Sequence, residues 1–341
     1  MRAMILKEIV DLSKNKTPLV LAELPIPVPK ENEILIKVSR CGVCHTELDE
    51  IEGRTPPAYF PIVLGHQVVG RVVAKGNKAS LFNVNDRVGV AWIFSSCGHC
   101  KYCIKGEENL CPEFKATGRD ANGGYAEYMV VPDKYAYPIP NKFSDSEVAP
   151  LLCAGAIGYR SVKLTGIKDG ESLGLTGFGA SAHLVLKMVK HQYPLTKIYV
   201  FARSIEEQQF AKELGATWVG NNEDESPEKL NAIIDTTPAW KPIVESLKNL
   251  APGGRLVINA IRKEERDKEY LLNINYTTHL WMEKEIKSVA NVSRNDVIEF
   301  LKLASEIPIK PVYEEYPLED ANRALIELKE KHVHGAKVLV L

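Results

Sequence analysis

The sequence predicts an α/β chain in two parts: a β-rich, looped region over roughly the first 150 residues, then a βαβ region with a parallel sheet. Three observations carry this. Short apolar runs broken by Gly and Pro fill the chain before Pro150. Strand-like and helix-like runs alternate after it. Between them, a strand, a glycine cluster and an apolar helical run follow one another at 171–189. With 341 residues, 45% of them hydrophobic and 26% charged, the chain has material for two ordinary domains and no bias towards disorder.

In order, EILIKV at 33–38, VVGRVVA at 68–74 and RVGV at 87–90 read as strands, separated by turns at Pro56-Pro57, Gly76-Asn77 and Asn122-Gly123-Gly124. Residues 171–175 are a strand and 183–189 a helix. KIYVF at 197–201 is a strand, and SIEEQQFAKEL at 204–214 an amphipathic helix stopped by Gly215. The alternation continues with the strand NAIID at 231–235, a helix at 242–250, a turn at Pro252-Gly253-Gly254 and a strand at 255–259. A strand at 285–289, helices at 295–304 and 319–329, and a final strand at 337–341 complete the reading.

The formal net charge of −1 offers no footprint for nucleic acid or an anionic membrane surface. No run approaches the length of a membrane span, and the opening MRAMILKEIVDLSKNK lacks the apolar core of a signal peptide, so a cytoplasmic protein is expected. Seven cysteines, an odd number in a chain of this size, argue for thiolate sites rather than a disulfide framework.

The sharpest pattern is Cys97-x-x-Cys100-x-x-Cys103, then Cys111 after seven residues. Four thiolates on one glycine-bearing loop can close a tetrahedral shell around a structural zinc. Closely spaced cysteines also hold iron–sulfur clusters, and spacing alone does not separate the two. A second set is dispersed: Cys44-His45-Thr46, Gly65-His66-Gln67 and Cys153. Singly, a buried histidine or cysteine is more often ordinary core.

GVCHTEL at 42–48, PIVLGHQVVG at 61–70, SCGHCKYCIKGEENLC at 96–111, GGYAEYMVVP at 123–132 and APLLCAGAIGY at 149–159 occur together and in order. In this the chain resembles the zinc-containing medium-chain alcohol dehydrogenases, closest to their bacterial and archaeal branch, over nearly its whole length. The resemblance implies a GroES-like β-rich catalytic domain at 1–155, a Rossmann dinucleotide-binding domain at 156–292, a C-terminal return to the catalytic domain at 293–341, and an active site in the cleft between the two domains. It implies a homotetramer and a small alcohol, aldehyde or ketone as substrate. It makes Cys44, His66 and Cys153 the ligands of a catalytic zinc, giving two zinc ions per chain. That ligand set is itself a known alcohol dehydrogenase example, matched here rather than derived. Three protein ligands leave one position open, where a substrate hydroxyl loses its proton easily before hydride moves to the nicotinamide. By the same resemblance Thr46 hydrogen-bonds the substrate oxygen and His45 lies near the cofactor pyrophosphate. Glu47 is expected to orient His66, as carboxylates behind metal-bound histidines commonly do. Asp49 stands where relatives end a proton relay in histidine. Gln67 replaces a frequent Glu, and Lys337 is the remaining candidate for a pyrophosphate-binding cation that many relatives carry as arginine. The substrate pocket is expected around Trp92, Ile93 and Phe114. An NADPH-dependent aldehyde reductase of the same family is the alternative reading.

Gly177-x-Gly179-x-x-Ala182 is the dinucleotide fingerprint, set after a strand and before a helix. Glycines there let the backbone approach the pyrophosphate, which the helix N-terminus attracts. After the next strand, Ala202 occupies the place of the acid that binds the ribose of NAD. Arg203 and Ser204 suit a 2′-phosphate instead, which favours NADP over NAD.

Overall fold

The computed structural model describes residues 1–179, 181–330 and 335–341; Ala180, inside the glycine passage, lies outside them. The described chain divides into two units, one made of Met1–Cys153, Val292–Ser305 and Lys310–Leu341, the other of Ala154–Asn291 and Glu306–Ile309.

The first unit is built on a sheet that, among the described residues, has seven strands. Its centre is the strand Glu33–Val43, which pairs antiparallel with Gln67–Lys75, with Tyr128–Pro132 and with the last strand, Ala336–Val340. Alternating apolar residues explain the pairing: Ile34, Ile36, Val68, Val72, Val88, Val90, Met129 and Leu339 all point into one core. The strand runs five residues further than EILIKV predicts. Ser39–Gly42 have little β propensity of their own, but Cys41 and Gly42 pair with Val68 and Gln67 on one side and with Leu339 and Val338 on the other. This carries the chain straight into helix α1, His45–Ile51, for which Cys44 is the N-cap.

The second unit holds an all-parallel sheet whose strands lie in the order Trp218–Gly220, Lys197–Phe201, Ser172–Thr176, Leu230–Asp235, Leu250–Ile258, Glu285–Ser288. In chain sequence that is 3-2-1-4-5-6, the Rossmann arrangement, with its crevice at the carboxyl ends where the order reverses. The strands Arg87–Val90 and Lys197–Phe201 fall where the sequence places them. Trp218–Gly220 went unread because three residues give no period. The predicted turn at Pro252-Gly253-Gly254 lies inside the strand Leu250–Ile258. There the register jumps between Leu230↔Leu250 and Ala232↔Arg255, so the turn residues form a bulge. Helix α1 aside, the helices that matter are Ala182–Gln192, after the glycine passage, and Ile205–Glu213, capped by Ser204. Among the described residues no helix is long and apolar enough to cross a membrane.

Candidate active site

The first unit gathers Cys44, His66 and Cys153 from three distant segments. Cys44 sits at the start of α1, His66 directly before the strand Gln67–Lys75, and Cys153 after the short 3-10 turn Ala149–Leu152. Their ligand atoms all lie within 4.8 Å of one another, and Cys44 Sγ is 3.9 Å from Cys153 Sγ. Two sulfurs on one tetrahedral zinc, each at about 2.3 Å, stand about 3.8 Å apart. The donors therefore fit one ion. Gly65 allows the approach: at φ +97° it turns the chain, and a Cβ there would collide with the Tyr125 ring and meet Cys41 Sγ at 2.9 Å.

Glu47, fully buried, serves two of the three donors at once. One oxygen is 2.6 Å from His66 Nδ1 and the other accepts the Cys44 backbone N–H at 2.8 Å. Engaging Nδ1 leaves Nε2, which has no hydrogen-bond partner, as the ring's metal-facing atom. Burial opposes charge on His66, but Glu47 and Cys44 outweigh it and hold its proton affinity well above the ordinary imidazole. The Cys153 thiol shares its proton with Cys44, which depresses Cys44 and raises Cys153. Two thiols and an imidazole with a free Nε2 bind a divalent cation in their deprotonated forms, so metal binding here would release protons.

The remaining residues divide clearly. Thr46 is half-buried with Oγ1 3.6 Å from Cys44 Sγ, at the rim of the triad. His45 is exposed. Asp49 is buried and ion-paired to Arg54 at 2.6 Å, so the carboxylate expected to end a relay is held by a guanidinium. Gln67 lies across Gly42, where any Cβ would strike its amide. Trp92 and Phe114 pack with ring centroids 5.5 Å apart, and Ile93 is fully buried. Lys337 is a correction. It is 2% exposed and satisfied by Glu314, Glu327 and the Tyr316 hydroxyl, so it is not available to a pyrophosphate. Sequence reasoning missed Glu50, which is fully buried, with Trp92 and Arg119 near its carboxyl. Helical spacing in α1 was the available signal.

Cys97, Cys100, Cys103 and Cys111 form a second set, also within 4.8 Å of one another. Cys103 Sγ is 3.9 Å from Cys97 Sγ and 3.6 Å from Cys100 Sγ. These are single-ion spacings; an iron–sulfur cluster needs room between the thiolates for several irons and sulfides. Backbone N–H groups of Cys100 and Glu113 point at Cys97 and Cys111 sulfurs at 3.3 Å, as thiolates require. Gly98 and Gly106, at φ +78° and +74°, make the wrap possible.

In the second unit Gly177 ends the strand Ser172–Thr176 at φ +77°, donates its N–H to Phe201 O at 2.8 Å, and has no room for a Cβ beside Thr237 Cγ2 at 2.9 Å. Gly179 opens on empty space, and Ala182 begins the following helix, buried. Ala202 is buried; Arg203 is exposed and without an ion pair or hydrogen bond among the described residues. Ser204 caps the helix Ile205–Glu213 by accepting the Glu207 N–H at 3.1 Å, which leaves its hydroxyl proton free to donate.

Residues 30–141 match the alcohol dehydrogenase GroES-like domain. The chain is 40% identical to a probable alcohol dehydrogenase, AdhA, of Mycobacterium tuberculosis, over 93% of this chain and 91% of that one. It is 31% identical to an alcohol dehydrogenase of Geobacillus stearothermophilus over 96% of each. A solved NAD-dependent alcohol dehydrogenase superposes on all of the chain with a TM-score of 0.87 at 25% identity.

Proposed function

The chain belongs to the zinc-containing medium-chain alcohol dehydrogenase family, and from that premise we propose how its own residues divide the work of an alcohol dehydrogenase. The observation that carries the proposal is the triad Cys44, His66, Cys153, whose ligand atoms lie within 4.8 Å of one another and whose buried His66 leaves Nε2 without a hydrogen-bond partner. Zinc held there would supply a Lewis acid to a substrate oxygen, while a nicotinamide dinucleotide takes or gives the hydride. Glu47 fixes His66 and Cys44 in place. Thr46 Oγ1 hydrogen-bonds the substrate oxygen and moves a proton at that atom. The aromatic pair Trp92 and Phe114 keeps water from the reacting carbon. A second zinc, on Cys97, Cys100, Cys103 and Cys111, has no open position and holds the loop.

Gly177, Gly179 and Ala182 receive the pyrophosphate. Arg203 and Ser204 bind a 2′-phosphate, so NADP is preferred to NAD. That preference also favours a cellular role as an NADPH-dependent aldehyde reductase, the second reading. The working form is a cytoplasmic homotetramer. Its support is the strand Glu285–Ser288, exposed along its whole length at the sheet edge, together with the exposed Leu272, Tyr276, Trp281 and Met282.

The test is a panel of alcohols, aldehydes and ketones with NAD(H) and NADP(H) in parallel, on protein of measured zinc content, alongside calorimetric dinucleotide binding. Turnover with two zincs per chain is expected. Arg203→Ala should weaken NADP about 10-fold or more, the worth of a charge-assisted bond, and leave NAD unchanged. Equal loss for both dinucleotides refutes the phosphate assignment, and zinc-loaded protein inert across the panel refutes the activity.

A further inference from the structure

In the second unit the chain leaves the strands Leu230–Asp235 and Leu250–Ile258 at their carboxyl ends, and the two departing segments are tied to each other. Asp235 closes the first strand fully buried, where an ionised carboxylate needs partners. The Thr237 hydroxyl donates to its Oδ1 at 2.8 Å, and Lys263 Nζ, arriving from the other segment, donates to its Oδ2 at 2.5 Å. Lys263 also donates to the carbonyls of Thr237 at 2.6 Å and Ala239 at 3.2 Å. An ammonium has three protons to give, so this one, on a side chain 8% exposed, is fully used and is no ligand for a phosphate. Backbone bonds run alongside: Asn259 N–H donates to Asp235 O at 2.7 Å and Glu264 N–H to Pro238 O at 2.8 Å.

The turn that Lys263 holds is packed on the glycine passage. Thr236 donates its N–H and its hydroxyl to Thr176 O at 2.9 and 3.0 Å. A Cβ placed on Gly177 would lie 3.0 Å from Thr236 Oγ1 and 2.9 Å from Thr237 Cγ2, so both threonines rest directly on the residue whose φ of +77° turns the chain out of its strand. At the other end of the passage Asn259 Nδ2 reaches Ser181 Oγ at 3.4 Å. In a sheet of this strand order the carboxyl ends are where a dinucleotide sits.

We propose that Lys263 is a positioning residue for the dinucleotide, acting through the turn 235–239: it holds Thr236 and Thr237 against Gly177 and thereby sets affinity for NAD(H) and NADP(H) alike. This rests on the dinucleotide-binding reading of the second unit. Gly177 serves the pyrophosphate, which both dinucleotides carry, so the discrimination assigned to Arg203 and Ser204 is untouched. Without the ammonium, Asp235 keeps its charge with no counter-ion, and the carbonyls of Thr237 and Ala239 lose the donor that draws them together. Coupling between the clamp and the ligand is reciprocal, so a bound dinucleotide steadies the clamp by as much as the clamp favours the dinucleotide.

Lys263→Met keeps the stem and removes the ammonium. The double variant Asp235→Asn, Lys263→Met also removes the stranded charge and guards against simple failure to fold. On zinc-loaded protein, calorimetry should show both dinucleotides weakened about 10-fold, within the range by which residues without ligand contact shift affinity. The ratio of NADP to NAD affinity should stay at the parent value. Dinucleotide KM should rise with them, while kcat at saturation is not reduced, and Lys263→Arg should recover part of the affinity. A role in stability alone would lower the melting temperature and leave Kd and KM of the folded enzyme where they were. A folded double variant that binds both dinucleotides within twofold of the parent overturns the proposal, as does a loss confined to one of them. In the parent, saturation with dinucleotide should slow amide hydrogen exchange across 235–241 and 259–267. Unchanged exchange there overturns the proposal even where no variant folds. A parent that binds neither dinucleotide fails the dinucleotide-binding reading instead.

Discussion

Glu47→Gln should strip the proposed catalytic centre of zinc without disturbing the four-cysteine site. Both atoms that Glu47 serves are donors: His66 Nδ1–H at 2.6 Å and the Cys44 backbone N–H at 2.8 Å. A carboxylate has an oxygen for each. An amide has one oxygen and an NH2, and the NH2 must face one of the two N–H groups. One buried donor is therefore orphaned, at a cost of about 1–3 kcal/mol. Loss of such a hydrogen bond behind a metal ligand lowers metal affinity about 10- to 100-fold, or about 1.4–2.8 kcal/mol. Glu47→Ala orphans both donors, so its penalty should be about twice as large. Competition with a chelator reads the affinity, with the four-cysteine zinc of the same molecule as the internal reference. If Glu47→Gln releases its first zinc at the same chelator concentration as the parent, within twofold, Glu47 does not govern the centre.

Cys103→Ser should reduce zinc from two ions per chain to one and lower the melting temperature by about 4 °C or more, since one kcal/mol is worth a few degrees in a unit of this size. An unchanged melting temperature with two zincs would place the second ion elsewhere. Glu228 tests the pH dependence of the second unit. Its carboxylate accepts from the Ser172 hydroxyl, then from Tyr199 and Lys197, and these pull it down from 4.5 to about 2. A folded value below the unfolded one contributes stability above pH 4.5 that is lost as pH falls towards 2. Its side chain is 38% exposed, so solvent screening reduces the neutral-pH contribution to about 1 kcal/mol. Glu228→Gln should lose that much at pH 7 and show a shallower fall in acid by urea unfolding, and an identical acid slope would contradict the assignment.

How legible each feature was in the sequence follows the range of the interactions behind it. Strands such as Lys197–Phe201 and the glycine passage announce themselves because their cause is local: alternation, a turn that needs φ +77°, a helix start. The four-cysteine loop is likewise one continuous segment. The residues that were misplaced or missed owe their state to distant partners. Lys337 looks like a free cation near the end of the chain. It is buried because its strand lies between Glu33–Val43 and Tyr313–Pro317, which brings up Tyr316 and Glu314, with Glu327 on the following helix closing over it. Glu50 looks like a surface residue in an acidic stretch, yet it is fully buried, with the distant Trp92 and Arg119 among its neighbours.

The same long-range burial bears on the residue at position 67. With zinc bound, two thiolates and Glu47 bring three negative charges against two positive ones. A further ionised carboxylate against those three would add like-charge repulsion to the cost of its own burial. Position 67, pressed across Gly42 with 4% exposure, therefore carries a neutral amide.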